Sequence, residues 1–155
     1  MNIPMIINGE KTMIQANPED KLIDVLRSMN LFSVKLGCAS GVCGACTVLL
    51  NGKPVPACQL AVALAMNQEI ETLEHFEKSE EYSWISKGFS KAGIKFCGYC
   101  NSGKIFAAAS ILRNKQKPTR TIIREQIKHL SPCCTDMDTL INGIIYAADI
   151  RDHSR

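Results

Sequence analysis

Cys38, Cys43 and Cys46 fall within nine residues, in the run Gly37-Cys38-Ala39-Ser40-Gly41-Val42-Cys43-Gly44-Ala45-Cys46, and Cys58 follows after a short insert. Thiolates are soft ligands that select iron–sulfur clusters and zinc. The spacing C-x4-C-x2-C with one more cysteine is a 2Fe–2S ligand pattern. A loop around such a core must bend tightly and bring backbone N–H groups near anionic sulfur. Gly37, Gly41 and Gly44 permit this, because glycine accepts positive φ and close backbone approach. Two other uses of cysteine compete. An even count of eight could form a disulfide framework, and C-x2-C could hold structural zinc. A triplet on a glycine-rich loop suits disulfides badly, and zinc sites usually take two separated pairs.

The other four cysteines are Cys97, Cys100, Cys133 and Cys134. Each pair precedes a segment with helical periodicity. If the two helix starts meet, four thiolates gather where two positive dipole ends point, a location that favours an anionic cluster. A second 2Fe–2S cluster is the reading this division into four and four supports. Zinc on the same four residues, or an empty site, stays open. A thioredoxin-like redox pair at Cys97–Cys100 lacks the strand-first βαβ context it needs.

The segments that must position these residues divide the chain in two. Met5–Gln15 predicts a hairpin around Asn8-Gly9, and Thr47–Val55 a second around Asn51-Gly52 that returns Cys58 towards the loop. Between them, Asn17-Pro18-Glu19-Asp20 marks a helix start, with Leu22, Val25, Leu26 and Met29 on its buried face. Leu60–Met66 reads as a helical turn and Ile70–Leu73 as a closing strand, which together make a small β-grasp sheet. Glu74–Glu81 is polar and reads as the linker. Four helices follow: Tyr82–Ala92, ended by Gly93; Gly103–Asn114; Thr121–Leu130, with Ile122, Ile123 and Ile127 inward; and Asp136–Asp149. Gly143 within the last costs roughly 1 kcal/mol against alanine, which points to a close helix contact. The expected fold is α+β: a β-grasp 2Fe–2S domain over 1–75, then a four-helix 2Fe–2S domain over 76–155.

Composition narrows the function. The chain has 155 residues, 46% of them hydrophobic, so a core forms without covalent staples. The net charge of +3 carries no long run of one sign, so neither nucleic acid nor a membrane surface is expected as partner. Met1-Asn2-Ile3-Pro4-Met5 lacks signal-peptide features, and no apolar run approaches a membrane span. The expected compartment is the reducing cytoplasm, where clustered cysteines mean metal or redox chemistry. His75, His129 and His153 lie in polar settings and are not expected as ligands. The Lys and Arg residues of 113–128 read as an exposed or partner-docking face.

These motifs resemble the small iron–sulfur subunit of the molybdenum hydroxylases, the xanthine dehydrogenase and aldehyde oxidoreductase group. The resemblance covers nearly the whole chain. It is carried by Ser33-Val34-Lys35-Leu36-Gly37-Cys38 through Cys46-Thr47-Val48, by Cys58, and by Cys97-Gly98-Tyr99-Cys100. It implies a plant-type ferredoxin-like domain with one cluster and a helical domain with another. Electrons would pass from a molybdopterin cofactor on a large subunit, across both clusters, to an FAD subunit or other acceptor in a hetero-oligomer. No substrate site and no catalytic residue is then expected on this chain. Three departures stand out. The family's pterin-contacting Gln is Phe96, which has no side-chain hydrogen bond to give. Its Thr-Pro-Gly is Asn101-Ser102-Gly103. Its Cys-Arg-Cys-Thr is Pro132-Cys133-Cys134-Thr135, and adjacent cysteines converge only where the backbone curls. These departures keep alive a one-cluster interaction module with a structural helical domain. A freestanding ferredoxin is the weaker alternative.

Overall fold

The computed structural model describes residues 1–37, 43–95, 101–130 and 135–154. Its first half is the expected sheet. β1 (Asn2–Ile7) and β2 (Glu10–Gln15) form a hairpin whose turn residues Asn8 and Gly9 both take positive φ, 53° and 85°. β3 (Thr47–Leu50) and β4 (Lys53–Pro56) form the second hairpin through Asn51-Gly52. β5 (Glu69–Glu71) runs parallel to β1 and antiparallel to β3, giving the order β2-β1-β5-β3-β4.

α1 (Leu22–Ser28) packs Leu22, Ile23, Val25 and Leu26 against one face of this sheet, among Ile3, Met5, Val48 and Ile70. It starts later than Asn17-Pro18-Glu19-Asp20 suggests. The Asn17 N–H donates to the Asp20 carboxylate at 2.9 Å and the Asp20 N–H to the Asn17 carbonyl at 3.0 Å. Those residues close a turn of their own, so the helix begins at Leu22. Short 3-10 turns occupy Ala57–Gln59 and Val62–Ala65.

The second half is helical: α2 (Leu73–Phe76), α3 (Glu80–Lys91), α4 (Asn101–Leu112), α5 (Arg120–Ile127) and α6 (Met137–His153). Side chains of Ser79, Thr119 and Asp136 accept the N–H groups of Tyr82, Ile122 and Thr139, satisfying donors that a helix start leaves unpaired. Gly93, at φ 77°, ends α3: its N–H donates to Ser90 and that of Ile94 to Phe89, the paired bonds of a Schellman cap.

Two expectations need correction. The polar stretch 74–81 is not a free linker. Phe76 within it is buried and meets Phe106 edge-on at 5.2 Å, so this segment belongs to the helical core. Ile122 is 48% exposed, because the buried face of α5 is set by Ile123 and Ile127 at i, i+4 and Ile122 lies off that line.

Among the described residues the apolar interior forms two clusters, one under the sheet and α1, one among the helices. β3 contributes to both. Val48 faces the first and its neighbour Leu49 the second, as strand alternation requires. α4 covers that second face of the sheet. Being enclosed by sheet and helices, it is buried on nearly every side, Lys104 included. The fully buried Arg151 of α6 donates to the carbonyls of Leu112 at 2.5 Å and Asn114 at 2.9 Å, closing the C-terminal end of α4. Among the described residues no helix is long and apolar enough to cross a membrane.

Candidate metal centres

The β3–β4 hairpin brings the first cysteine group together. Cys46 stands immediately before β3 and Cys58 lies in the 3-10 turn after β4. Because Thr47 pairs with Pro56, the returning strand sets Cys58 beside Cys46. The Cys58 N–H points at the Cys46 sulfur at 3.4 Å, and the Ala45 N–H at the Cys43 sulfur at 3.4 Å. Gly44, at φ 78°, makes the turn between them, and the Thr47 hydroxyl donates to its carbonyl at 2.8 Å. The Gln59 amide approaches the Cys58 sulfur at 3.7 Å. Cys46 and Cys58 are free thiols.

Burial pushes the Cys46 thiol up to about 11. The Cys58 N–H pulls it down, while the neighbouring Cys58 and Cys43 sulfurs push it further up. A bare thiolate is therefore disfavoured here, and a cation bound to the sulfur reverses that preference. Among the described residues no three His, Cys, Asp or Glu side chains by themselves form a group that could hold a metal ion. Cys38 lies outside the described residues. What fits an iron–sulfur cluster is the donor chemistry: the buried sulfurs of Cys46 and Cys58 beside that of Cys43, with backbone N–H groups aimed at the sulfurs of Cys43 and Cys46.

Cys97, Cys100, Cys133 and Cys134, with Phe96 and Pro132, also lie outside the described residues. Their described neighbours are informative. Asn101 opens α4 directly after Cys100, and Asp136 caps α6 two residues after Cys134. Ser102, Gly103 and Lys104, in the first turn of α4, are buried, and that turn sits on the first cysteine loop. The Ser102 hydroxyl donates to the Ser33 carbonyl at 3.3 Å. Ser33 is fixed in turn by Glu74, whose carboxylate accepts its N–H at 2.9 Å and also its hydroxyl. Sequence reasoning missed this junction. Its signal was the small-residue run Asn101-Ser102-Gly103 at a helix start, a composition that trades helix propensity for close approach.

The remaining expectations concern the surface. The three histidines are exposed; His75 meets the Glu71 carboxylate at 2.6 Å and His153 the Asp149 carbonyl at 2.7 Å. Much of the basic stretch 113–128 is paired within the chain: Arg113 with Glu81, Lys117 with Asp149, Arg124 with Asp138 and Lys128 with Glu125.

A 2Fe-2S iron-sulfur cluster binding domain model matches residues 5–73, and a 2Fe-2S binding domain model matches residues 72–145. Sheet, helices and these matches define a protein with two iron–sulfur-binding domains in tandem. The xanthine dehydrogenase iron-sulfur-binding subunit of Escherichia coli O157:H7 is 35% identical, over 94% of this chain and 92% of that protein. The nicotinate dehydrogenase small FeS subunit of Eubacterium barkeri is 39% identical, over 96% of each. The crystal structure of quinoline 2-oxidoreductase from Pseudomonas putida 86 superposes with a TM-score of 0.85 at 30% identity, over 99% of this chain and 96% of that one. Aldehyde oxidoreductase from Desulfovibrio desulfuricans ATCC 27774 gives 0.86 at 34% identity, but this chain spans only 17% of its length. The chain belongs to the small iron–sulfur subunits of the molybdenum hydroxylases, the family of xanthine dehydrogenase and aldehyde oxidoreductase.

Proposed function

We propose that this chain is the electron relay of a multi-subunit molybdenum hydroxylase. Cys38, Cys43, Cys46 and Cys58 hold one 2Fe–2S cluster in a domain over 1–75. Cys97, Cys100, Cys133 and Cys134 hold the other in a domain over 76–155. Each bound cluster supplies one-electron redox chemistry. The chain's residues supply thiolate ligation, N–H donors from Ala45 and Cys58 that stabilise negative charge on sulfur, and burial that keeps water away. A molybdopterin-binding large subunit donates electrons beside the helical domain. An FAD-binding subunit or another acceptor takes them beside the sheet domain. No substrate pocket is assigned to this chain.

The observation that carries this reading is the junction of the first cysteine loop with the first turn of α4, because α4 begins immediately after Cys100. A relay needs its two centres near each other, and here the segments flanking both groups touch. The test is an iron count with low-temperature EPR on the reduced protein purified with its partners. Four irons per chain and two distinct signals are expected. Two irons and one signal would favour the second reading, an interaction module with a structural helical domain. The adjacency of Cys133 and Cys134 and the apolar Phe96 are what support that alternative. Absence of any reducible iron–sulfur signal would overturn both.

A further inference from the structure

Gly44 lies between the candidate ligands Cys43 and Cys46, and Gly103 lies three residues beyond Cys100. The two glycines meet backbone to backbone. A Cβ built on Gly103 would stand 2.8 Å from the Gly44 Cα and 3.0 Å from its carbonyl oxygen. One built on Gly44 would stand 3.2 Å from the Gly103 Cα. These neighbours are backbone rather than flexible side-chain ends, so they cannot swing aside. Any side chain at either position must separate the loop from the helix. Gly103 has no conformational need to be glycine: it sits inside α4 without positive φ, where alanine would be favoured by about 1 kcal/mol. The contact is thus the one visible reason for glycine at this position. Ser102, Ser33 and Glu74 form a hydrogen-bonded chain along the same seam.

We infer that the Gly44–Gly103 contact is a spacer that fixes the separation of the two clusters and provides the short path between them. The inference rests on the two-cluster reading above. The step it serves moves one electron: the donor cluster is oxidised by one electron, the acceptor reduced by one, and no bond is made or broken. Tunnelling and magnetic coupling both weaken steeply with distance, so the smallest residue at each side of the seam gives the fastest transfer. Gly44 and Gly103 are positioning residues and bind nothing themselves.

The test uses the full complex in wild-type form and as Gly103→Ala, Ser102→Ala and Gly93→Ala. Gly93→Ala is the control, a positive-φ glycine with open space around its would-be Cβ. Fully reduced samples are read by iron count and by spin–spin splitting between the two EPR signals. Wild type, Gly93→Ala and Ser102→Ala should keep four irons and the full splitting. Gly103→Ala should keep four irons and both signals while its splitting is measurably reduced, because the Cβ contacts at 2.8 and 3.0 Å force the seam apart. Unchanged splitting in Gly103→Ala overturns the spacer. So does loss of iron from Gly103→Ala, which would make Gly103 a support of its own cluster. So does loss of splitting in Ser102→Ala, because the hydrogen bond would then set the distance. A wild-type complex with a single signal sinks the two-cluster reading itself, a separate failure.

Discussion

Glu74 shows how one side chain ties the cysteine loop to the rest of the fold. Burial alone would raise its pKa. Hydrogen bonds from the Ser33 hydroxyl and N–H outweigh that effect, so the carboxyl is held below its ordinary value of 4.5. A carboxylate depressed in the folded state adds stability that is complete above the unfolded value and is lost as pH falls through the folded one. The segment leading into Cys38 should therefore loosen in acid, below about pH 4.5 where the unfolded group takes up its proton. Urea midpoints measured from pH 7 down to pH 3.5 should fall more steeply in wild type than in Glu74→Gln, whose amide does not titrate. Parallel curves would show that Glu74 contributes no pH-dependent tie. Nothing in the sequence singled out Glu74. It sits in a polar run, and its partner Ser33 is 41 positions away in the chain. The grouping of Cys43, Cys46 and Cys58 was legible for the opposite reason, since it rests on short spacings and one Asn-Gly hairpin written along the chain.

At the scale of elements, the hairpins and the end of α3 were readable because their signals are short: the Asn-Gly turns and Gly93 each act within a few residues. The caps at Ser79 and Thr119 are just as local but were not read, so those two helices were expected to start at Tyr82 and Thr121 rather than at Glu80 and Arg120. Helix contacts were harder to read. Gly143 suggested a close approach, and a Cβ there would indeed stand 2.7 Å from Phe89 Cδ1 and 2.8 Å from Ile94 Cδ1. Gly88 on α3 was not noticed, yet it is the tighter position. Its Cβ would lie 2.4 Å from the Ala147 N and 2.7 Å from the Gly143 carbonyl oxygen, both backbone atoms of α6. Side chains can rotate away and backbone cannot. Gly88→Ala should therefore destabilise the protein by about 3 kcal/mol or more, beyond the ordinary overpacking range, despite alanine's better helix propensity. Gly143→Ala should cost about 1–2 kcal/mol. Urea unfolding followed by helical circular dichroism ranks the two, and a reversed order would contradict the packing described for α3 and α6.

At the scale of the molecule, β3 joins the two halves. Val48-Leu49-Leu50 is an apolar run because each face of the strand is covered, one by α1 and one by α4. The linear pattern showed a strand and a set of helices but not that they share Leu49, since the partner of a strand's second face is not encoded locally. Arg113 adds a second tie, from the end of α4 to the Gly52 carbonyl in the β3–β4 turn at 2.8 Å. Halves joined this way should unfold as one unit. The single tryptophan, Trp84 on α3, reports the helices, and visible iron–sulfur absorption reports the cysteine loop. Heated at one scan rate, the wild-type chain should lose both signals together. Leu49→Ala removes side-chain volume from the helical core while leaving the sheet core untouched, and should cost about 2–4 kcal/mol. If the halves are coupled, both signals move to the same lower temperature. If fluorescence shifts alone, Leu49 belongs to the helices only, and the two cysteine groups are carried by units that open independently.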